Sequence, residues 1–327
     1  MEKRLVAVLD TVFPTLDPAR QVLARIGAEL RLAKQPTAES LGEIAPMADA
    51  LLVTYAKVTA EIIRQMKRCR IISRFGIGVD NVDIPAATQA GIVVTKVPDY
   101  CIDEVSDHAL ALLLALVRKI PFANVRVQAG RWEMPAVVPI HRLRGTVLGL
   151  VGFGRIPQLV APKAQAFGMR VLAFDPYISE AVMRRAGVEK VEFSELLERS
   201  DYISIHTPLG PETHHMFNAD AFRRMKASAY LVNTARGPII DEAALASALD
   251  NKQLAGAALD VLETEPPSRS PLLRRDNVIL TPHTGFYSEE SLLELQTKAA
   301  EEVVRVLEGK APLNPVNPEV LQSAHTA

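Results

Sequence analysis

The sequence predicts an α/β fold with two doubly wound parallel sheets. Short runs rich in β-forming residues alternate with helical patterns along the chain, which is typical of parallel strands covered by helices. The chain has 327 residues, 48% of them hydrophobic, which is enough for two domains of roughly 100–200 residues each. A long helical stretch divides the runs into two groups, so we expect one sheet on either side of it.

The individual elements follow from apolar runs and from the prolines between them. The predicted strands are Leu5–Leu9, Leu51–Thr54, Ile71–Ser73 and Ile92–Val94, then Val147–Val151, Val171–Phe174, Ile203–His206, Tyr230–Asn233, Ala257–Asp260 and Val278–Thr281. The dividing helix is predicted over Ile102–Val117, because Pro98 precedes it and Pro121 ends it. A last helix, over about Ser288–Leu307, follows the final strand and predicts that the chain returns to the first lobe.

Composition and charge exclude several classes of partner. Lys and Arg number 37 against 38 acids, and no block of like charge occurs, so nucleic acid and anionic membrane are not expected partners.

The opening "MEKRLVAVLD" is typical of a first strand and not of a signal peptide. The apolar run Ala109–Val117 is shorter than the ~20 residues that cross a bilayer. Two cysteines are too few for a disulfide framework or a cysteine zinc site, so we expect a cytoplasmic protein with no metal.

A glycine turn follows the strand Val147–Val151 in "GLVGFGRIPQLVAP". Gly152 and Gly154 open a helical pattern, which is the context of a dinucleotide-binding turn. The backbone N–H groups of Gly154, Arg155 and Ile156 are then the donors for a pyrophosphate.

The next strand ends at Asp175, near the ~20-residue interval at which an acid binds the adenosine ribose hydroxyls. An acid at that position favours NAD over NADP, because a 2′-phosphate would meet a carboxylate. The alternative is that the Asp-Pro pair only starts a turn.

Two prolines interrupt the helix that follows the glycine turn. Pro157 stands where the dinucleotide pattern has a third small residue, but in a first helical turn it removes no intrahelical hydrogen bond. Pro162 removes the bond to the carbonyl of Gln158, at ~3 kcal/mol in a regular helix. We therefore predict a kinked or short helix that still binds the cofactor.

Three polar residues follow three successive predicted strands: Arg236 in "VNTARGPII", Glu265 in "LETEPP" and His283 in "TPHTGF". Ligands bind at the carboxyl ends of parallel strands. A guanidinium can bind a carboxylate with two hydrogen bonds, and a histidine beside a carboxylate is suited to donate a proton. Each alone could instead be a surface arginine, a solvated turn or a packed histidine.

His206 also ends a strand and is predicted to border the cofactor. The other histidines are expected to be structural or exposed: His108, His141, His214, His215 and His325.

Seven segments together resemble the D-isomer-specific 2-hydroxyacid dehydrogenase family over almost the whole chain. They are "SRFGIGVDNVD", "GFGRIP", "FDPY", "HTPLGPETHHMFN", "VNTARGPIIDEAAL", "GAALDVLETEP" and "TPHTGFYSEES". The resemblance implies two similar Rossmann or flavodoxin-like lobes, with the cofactor lobe inserted in the substrate lobe. We accordingly predict a substrate-binding domain at 1–99 plus 287–327, an NAD-binding domain at 100–286, and a homodimer.

The resemblance also implies residue roles in reducing a small 2-keto acid with NADH. The backbone amides of Gly76, Ile77 and Gly78 would bind the substrate carboxylate, Arg236 the carboxylate and carbonyl oxygen, and His283 with Glu265 would supply the proton. The residues implied to line the cofactor site, besides the glycines and His206, are Arg155, Ile156, Asp175, Thr234, Ala235, Arg236 and Asp260. Asp260 would be the acid on the nicotinamide side.

Within the family, "VPDYCIDEVSDHALALLLAL" looks most like the branch of the C-terminal-binding corepressors and their bacterial relatives. Arg74 matches a substrate-contacting arginine of that branch, whereas Phe286 stands where the corepressors have tryptophan. Two alternatives to a reductase of glyoxylate, hydroxypyruvate or pyruvate therefore stay open. One is an NAD(H)-sensing binding protein with vestigial turnover, and the other is phosphoglycerate dehydrogenase.

Overall fold

The computed structural model describes residues 4–35 and 37–323. The chain forms two units: one combines the segment up to Tyr100 with the segment from Ser288 onward, and the other is Cys101–Tyr287. The strands are β1 Leu5–Val8, β2 Glu29–Leu32, β3 Ala50–Val53, β4 Ile71–Arg74, β5 Val93–Thr95, β6 Val147–Val151, β7 Arg170–Phe174, β8 Glu189–Lys190, β9 Tyr202–Ile205, β10 Tyr230–Asn233, β11 Gly256–Leu259 and β12 Val278–Leu280. The α-helices are α1 Asp17–Ala24, α2 Ala38–Gly42, α3 Ala60–Gln65, α4 Ile84–Gln89, α5 Ile102–Val117, α6 Ile120–Gln128, α7 Arg155–Ala166, α8 Glu180–Arg185, α9 Phe193–Arg199, α10 Ala219–Arg224, α11 Glu242–Asp250, α12 Glu289–Leu307 and α13 Glu319–Ser323.

The first unit contains a parallel sheet of order β2-β1-β3-β4-β5. Ala7, Leu51, Ile72 and Val94 lie side by side in register on one face and belong to one hydrophobic core with residues of α2, α3 and α4. The opposite face packs against α12, and the hydroxyl of Ser73 donates to the carbonyl of a residue in that helix at 3.0 Å. Because both faces are covered, the central strands β1 and β3 are apolar throughout.

The second unit contains a parallel sheet of order β12-β11-β10-β9-β6-β7-β8. Alternate residues of β6 enter two different cores: Val147 and Val151 pack with α9, α10 and α11, whereas Leu148 and Leu150 pack with α5 and α7. The chain leaves β6 toward β7 on one side and returns to β9 on the other, so a topological switch point lies between β6 and β9. Ligands bind at such points in open α/β sheets.

The prediction of two doubly wound parallel sheets is confirmed. Two strands were not predicted, β2 and β8, and each lies at the edge of its sheet. Arg31 and Leu32 of β2 are exposed, and β8 has 2 residues, so neither strand shows a buried apolar run. None of the helices in the described ranges has the length and apolarity to cross a membrane.

Candidate active site

The glycine turn joins β6 to α7 at the switch point. Gly152 has φ of +92°, and a Cβ there would lie 2.9 Å from the carbonyl oxygen of His206, so both its conformation and its surroundings require glycine. Gly154 caps α7, and a Cβ there would meet no atom within 4 Å. The N–H groups of Arg155 and Ile156 stand in the first turn of the helix, where they have no intrahelical acceptor. The turn therefore presents backbone donors beside open space.

The helix after this turn is not shortened by its prolines. It runs for 12 residues, with Pro157 buried in its first turn and Pro162 inside it. Pro162 and Gln158 are both exposed, so water can bind the carbonyl that Pro162 leaves without an N–H partner. Of the two predicted outcomes, a short helix does not occur.

Asp175 follows β7 and holds the glycine turn. Its Oδ2 accepts the N–H of Phe153 at 2.8 Å, and its Oδ1 accepts the N–H groups of Tyr177 at 2.8 Å and Ile178 at 3.2 Å. The carboxylate thus starts the turn after β7, which was the structural alternative for this residue, and also anchors the phosphate turn. A contact with ribose stays a prediction.

His206 follows β9, on the other side of the switch point. Its ring Nε2 lies 2.8 Å from the hydroxyl of Ser204. Desolvation of the half-buried ring lowers the pKa of His206 to about 3. The ring is therefore neutral near pH 7.

The turn after β10 carries Arg236 and is organised by a buried asparagine. Asn233 accepts the N–H of Ala235 at 2.9 Å and donates to the carbonyl of Arg236 at 2.8 Å. Gly237 follows, and a Cβ there would lie 1.9 Å from the backbone of Leu262, so the turns after β10 and β11 touch. The hydroxyl oxygen of Thr234 is buried and has no hydrogen-bond partner among the described residues.

Glu265 and His283 form a hydrogen-bonded pair. The ring Nδ1 of His283 lies 2.7 Å from Oε2 of Glu265, and Oε1 of Glu265 accepts the N–H of Leu262 at 2.9 Å. The side chains of His283 and Glu265 are 22% and 35% exposed, respectively. The ring of Phe286 packs edge-on against that of His283, with centroids 6.2 Å apart. Nδ1 is therefore the ring nitrogen that the carboxylate holds.

Asp260 at the end of β11 is buried and surrounded by donors. Its carboxylate accepts the hydroxyl of Thr281 at 2.5 Å and the N–H groups of Thr284 and Gly285 at 2.9 and 2.8 Å. Nε2 of His108 lies 3.3 Å away. Burial by itself raises the pKa of Asp260, but the hydrogen bonds from His108, from Thr281 and from the two amides outweigh it and lower the pKa below its usual value. The carboxylate is ionised, and its role toward nicotinamide stays a prediction.

The residues predicted to bind substrate carboxylate belong to the first unit. Arg74 ends β4, is 7% exposed and donates from Nε to the carbonyl of Thr54 at 3.2 Å. Its guanidinium lies over Gly76, where a Cβ would be 1.3 Å from Nη1, and Gly76 has φ of +147°, so its backbone conformation favours glycine. Ile77 and Gly78 are half-buried.

Four residues that organise these turns were not identified as such from the sequence. Asn233, Thr281 and Thr284 were not singled out, and His108 was expected to be structural or exposed, with no contact to Asp260 foreseen. His108 is 173 residues from Thr281 along the chain, and no local pattern indicates that they meet. His325 lies outside the described residues.

Comparison with known proteins gives a consistent picture. Residues 110–285 match the model of the D-isomer specific 2-hydroxyacid dehydrogenase, NAD binding domain. The chain is 41% identical over 306 residues to the D-3-phosphoglycerate dehydrogenase of Methanocaldococcus jannaschii, covering 93% of this chain and 58% of that protein. It is 40% identical over 269 residues to the glyoxylate reductase of Korarchaeum cryptofilum, covering 81% of each chain. The crystal structure of D-lactate dehydrogenase from Aquifex aeolicus with NAD and lactic acid superposes with a TM-score of 0.86 at 30% identity, over 96% of this chain and 99% of that one.

Proposed function

The chain belongs to the D-isomer-specific 2-hydroxyacid dehydrogenase family, whose NAD-binding domain it carries, and we propose that it is an NAD-dependent reductase of a small 2-keto acid. The observation that carries the proposal is the pair of His283 and Glu265. Glu265 follows β11 and His283 follows β12, the two strands that lie next in the sheet to β10, which the Arg236 turn follows. Glyoxylate, hydroxypyruvate and pyruvate are the proposed substrates. Relatives named glyoxylate reductase and D-lactate dehydrogenase support this class.

The second unit fits a bound dinucleotide at three points. Gly154 faces open space and adjoins the first-turn amides of α7, which suit a pyrophosphate. The buried Thr234 hydroxyl lacks a protein partner among the described residues and suits a polar group of the cofactor. Asp175, at the end of β7, would accept a ribose hydroxyl and repel a 2′-phosphate. We therefore propose that these residues, with Arg155, Ile156, His206, Ala235 and Asp260, line the NAD site.

The residues of the protein are proposed to bind the substrate and to transfer a proton to it. When bound, NADH supplies the hydride that reduces the keto carbon. Glu265 holds the ring of His283 by Nδ1, so Nε2 can deliver a proton to the keto oxygen. The carboxylate also stabilises the cationic form of the ring before it gives up that proton. Arg236 would hold the substrate carboxylate and polarise the carbonyl.

We assign the first unit, which runs up to Tyr100 and resumes at Ser288, to substrate binding. The backbone amides at Ile77 and Gly78 would receive the substrate carboxylate, together with that of Gly76, whose N–H also donates to the carbonyl of Arg74 at 2.9 Å. Arg74 supplies a buried positive charge at the end of β4, which favours an anionic substrate. Specificity among the keto acids would then depend on the space around these residues.

A second candidate is oxidation of 3-phosphoglycerate. The relative from M. jannaschii bears that activity in its name and covers 93% of this chain. This chain spans 58% of that relative's length. The same histidine, glutamate and arginine would serve either substrate, so the two candidates differ only in what the first unit accepts.

The test is a titration of NADH followed by nicotinamide fluorescence, with NADPH as control, and then a turnover screen. Micromolar binding of NADH, much weaker binding of NADPH, and oxidation of NADH by one of the keto acids are expected. Turnover of 3-phosphoglycerate alone would favour the second candidate. Absence of binding up to about 1 mM, which is roughly −4 kcal/mol, would contradict both. Tight binding of NADH without turnover of any of these substrates would favour a protein that senses NAD(H) and does not act as an enzyme.

We also propose a cytoplasmic homodimer. The cytoplasm is consistent with two free cysteines, both buried. The dimer is supported by a continuous stretch of the second unit, 120–138, in which large apolar side chains face solvent: Ile120, Val125, Trp132, Met134 and Val138 are 55%, 64%, 87%, 72% and 56% exposed. Exposed apolar surface of this kind marks interfaces.

A further inference from the structure

The loop 281–285, which carries His283, is held by one buried residue. The carboxylate of Asp260 accepts hydrogen bonds from Thr281, Thr284 and Gly285, and its backbone carbonyl accepts the N–H of His283 at 2.8 Å. His283 itself has φ of 53°, in the left-handed region that side chains disfavour. Such a conformation persists only where its surroundings enforce it. Asp260 is therefore the anchor that keeps His283 in place.

A histidine from a different element completes this anchor. Nε2 of His108, on α5, lies 3.1 Å from Oγ1 of Thr281 and 3.3 Å from Oδ1 of Asp260. The hydroxyl hydrogen of Thr281 points to Asp260, so Nε2 of His108 faces two acceptors and must carry a hydrogen.

The ring of His108 packs closely against the loop at Gly285. A Cβ at Gly285 would lie 3.2 Å from Cδ2 of His108 and 2.9 Å from Oδ2 of Asp260. Glycine at 285 thus lets the loop approach the ring and the carboxylate at once. The ring, the carboxylate and the loop form a single packed cluster within the second unit.

We propose that His108 is a positioning residue, which acts through Thr281 and Asp260 to hold His283 against Glu265. Removing the ring N–H of His108 takes one hydrogen-bond donor from the buried carboxylate of Asp260. It also takes one polar contact from the hydroxyl of Thr281. The loop can then relax from its left-handed conformation, and the ring of His283 loses its alignment with Glu265. The proposal rests on the proposed function in that it takes His283 as the proton donor.

The first test compares His108→Leu, which removes the donor, with His108→Gln, whose amide can restore it. In His108→Leu, kcat with the preferred keto acid should fall about 10- to 100-fold, as expected when a reacting group is misplaced by about 1 Å. The Kd for NADH should stay within about threefold of the wild-type value, a change under ~1 kcal/mol. His108→Gln should recover most of kcat. A residue that only supports the fold would instead lower the melting temperature of the variants without separating kcat from Kd.

The second test needs no turnover and no cofactor. Amide hydrogen exchange of peptides covering 281–285 should be faster in His108→Leu than in the wild type and should slow again in His108→Gln. The proposal is overturned if His108→Leu keeps the wild-type exchange rate, or if it keeps the wild-type kcat. Should the wild type fail to reduce any keto acid, the proposed function fails, while the exchange measurement still decides whether His108 holds the loop.

Discussion

At the scale of single residues, the proposed proton donor of the candidate site has a strained backbone. His283 is held at φ of 53°, and a side chain in that region costs about 1–3 kcal/mol. The same conformation lets its N–H reach the carbonyl of Asp260 while Nδ1 reaches Glu265. Two partners on different atoms thus fix both the backbone and the ring.

Replacing His283 by alanine should remove the proton donor and leave cofactor binding intact. General acid catalysis contributes about 10²- to 10⁴-fold, so kcat for keto-acid reduction should fall by that factor. The Kd for NADH should change less than about threefold. His141→Ala, at an exposed position, is the matched control and should keep full activity. An unchanged kcat in His283→Ala would remove this residue from the mechanism.

His206 predicts how stability depends on pH. Its folded pKa is about 3, below the ordinary 6.5, so between those values the unfolded chain binds one more proton than the folded chain. Unfolding is therefore favoured as pH falls through that window, by up to about 1.4 kcal/mol for each pH unit. His206→Gln keeps a polar partner for Ser204 without this titration.

The measurement is the free energy of urea unfolding at several pH values. The wild type should lose stability relative to His206→Gln as pH falls from 6.5 toward 3, and the two should run parallel at higher pH. Parallel curves across the whole range would show that the ring titrates normally in the folded protein.

The sequence gives the strand-end positions of Arg236, Glu265 and His283 because each follows a β-rich run with a clear end. The hydrogen bonds that organise them are not local. Asn233 can be seen as a strand end but not as the acceptor and donor that shape the Arg236 turn. His108 lies in an apolar helical pattern, and its partners, Asp260 and Thr281, directly follow strands far along the chain.

At the scale of elements, two glycines of one turn have different physical roles. Gly152 is fixed by its φ of +92° and by the close carbonyl of His206. Gly154 has φ of −74° and ψ of −158°, which alanine can adopt, and no neighbour within 4 Å. The first glycine serves the fold, and the second leaves room for a ligand.

Alanine substitutions separate these roles. Gly152→Ala should lower the free energy of unfolding by about 1–3 kcal/mol. Gly154→Ala should change it by less than about 0.5 kcal/mol but raise the Kd for NADH at least about tenfold, or 1.4 kcal/mol. Chemical denaturation and NADH titration of both variants measure the two effects. Normal NADH affinity in Gly154→Ala would show that the pyrophosphate lies elsewhere.

Which elements the sequence predicts depends on burial. The strands buried on both faces leave long apolar runs, and Tyr230–Asn233 and Val147–Val151 are predicted with the observed bounds. The edge strands β2 and β8 carry exposed residues and escape the pattern. Helix α7 continues past Pro162 because that residue is exposed, which helix propensity alone does not reveal.

At the scale of the whole molecule, the order of strands in the second unit explains why distant segments share one site. The turns after β6 and β9 flank the switch point, and those after β10, β11 and β12 follow on adjacent strands. Parallel strands place all of these turns at the same edge of the sheet. The topology, rather than any one motif, therefore gathers the proposed cofactor and proton-transfer residues.

The same unit also carries the surface on which the proposed dimer depends. Helix α6 has no buried residue, and Trp132 beyond it is 87% exposed. An isolated chain would leave this apolar stretch in water, whereas a second copy could cover it and gain about 25 cal/mol for each Å² of apolar surface buried. The wild type is accordingly expected to sediment at about twice 35.7 kDa.

Placing a charge on this surface should dissociate the dimer, because an unpaired carboxylate is costly to bury in an interface. Trp132→Glu should raise the dimer dissociation constant at least about tenfold, or 1.4 kcal/mol, as measured by sedimentation equilibrium. Leu313→Glu, at a position 68% exposed in the first unit, is the matched control and should sediment like the wild type. A monomeric wild type at micromolar concentration would contradict the homodimer. A dimer that survives Trp132→Glu would place the interface on another surface, since a buried carboxylate at this site could not be tolerated.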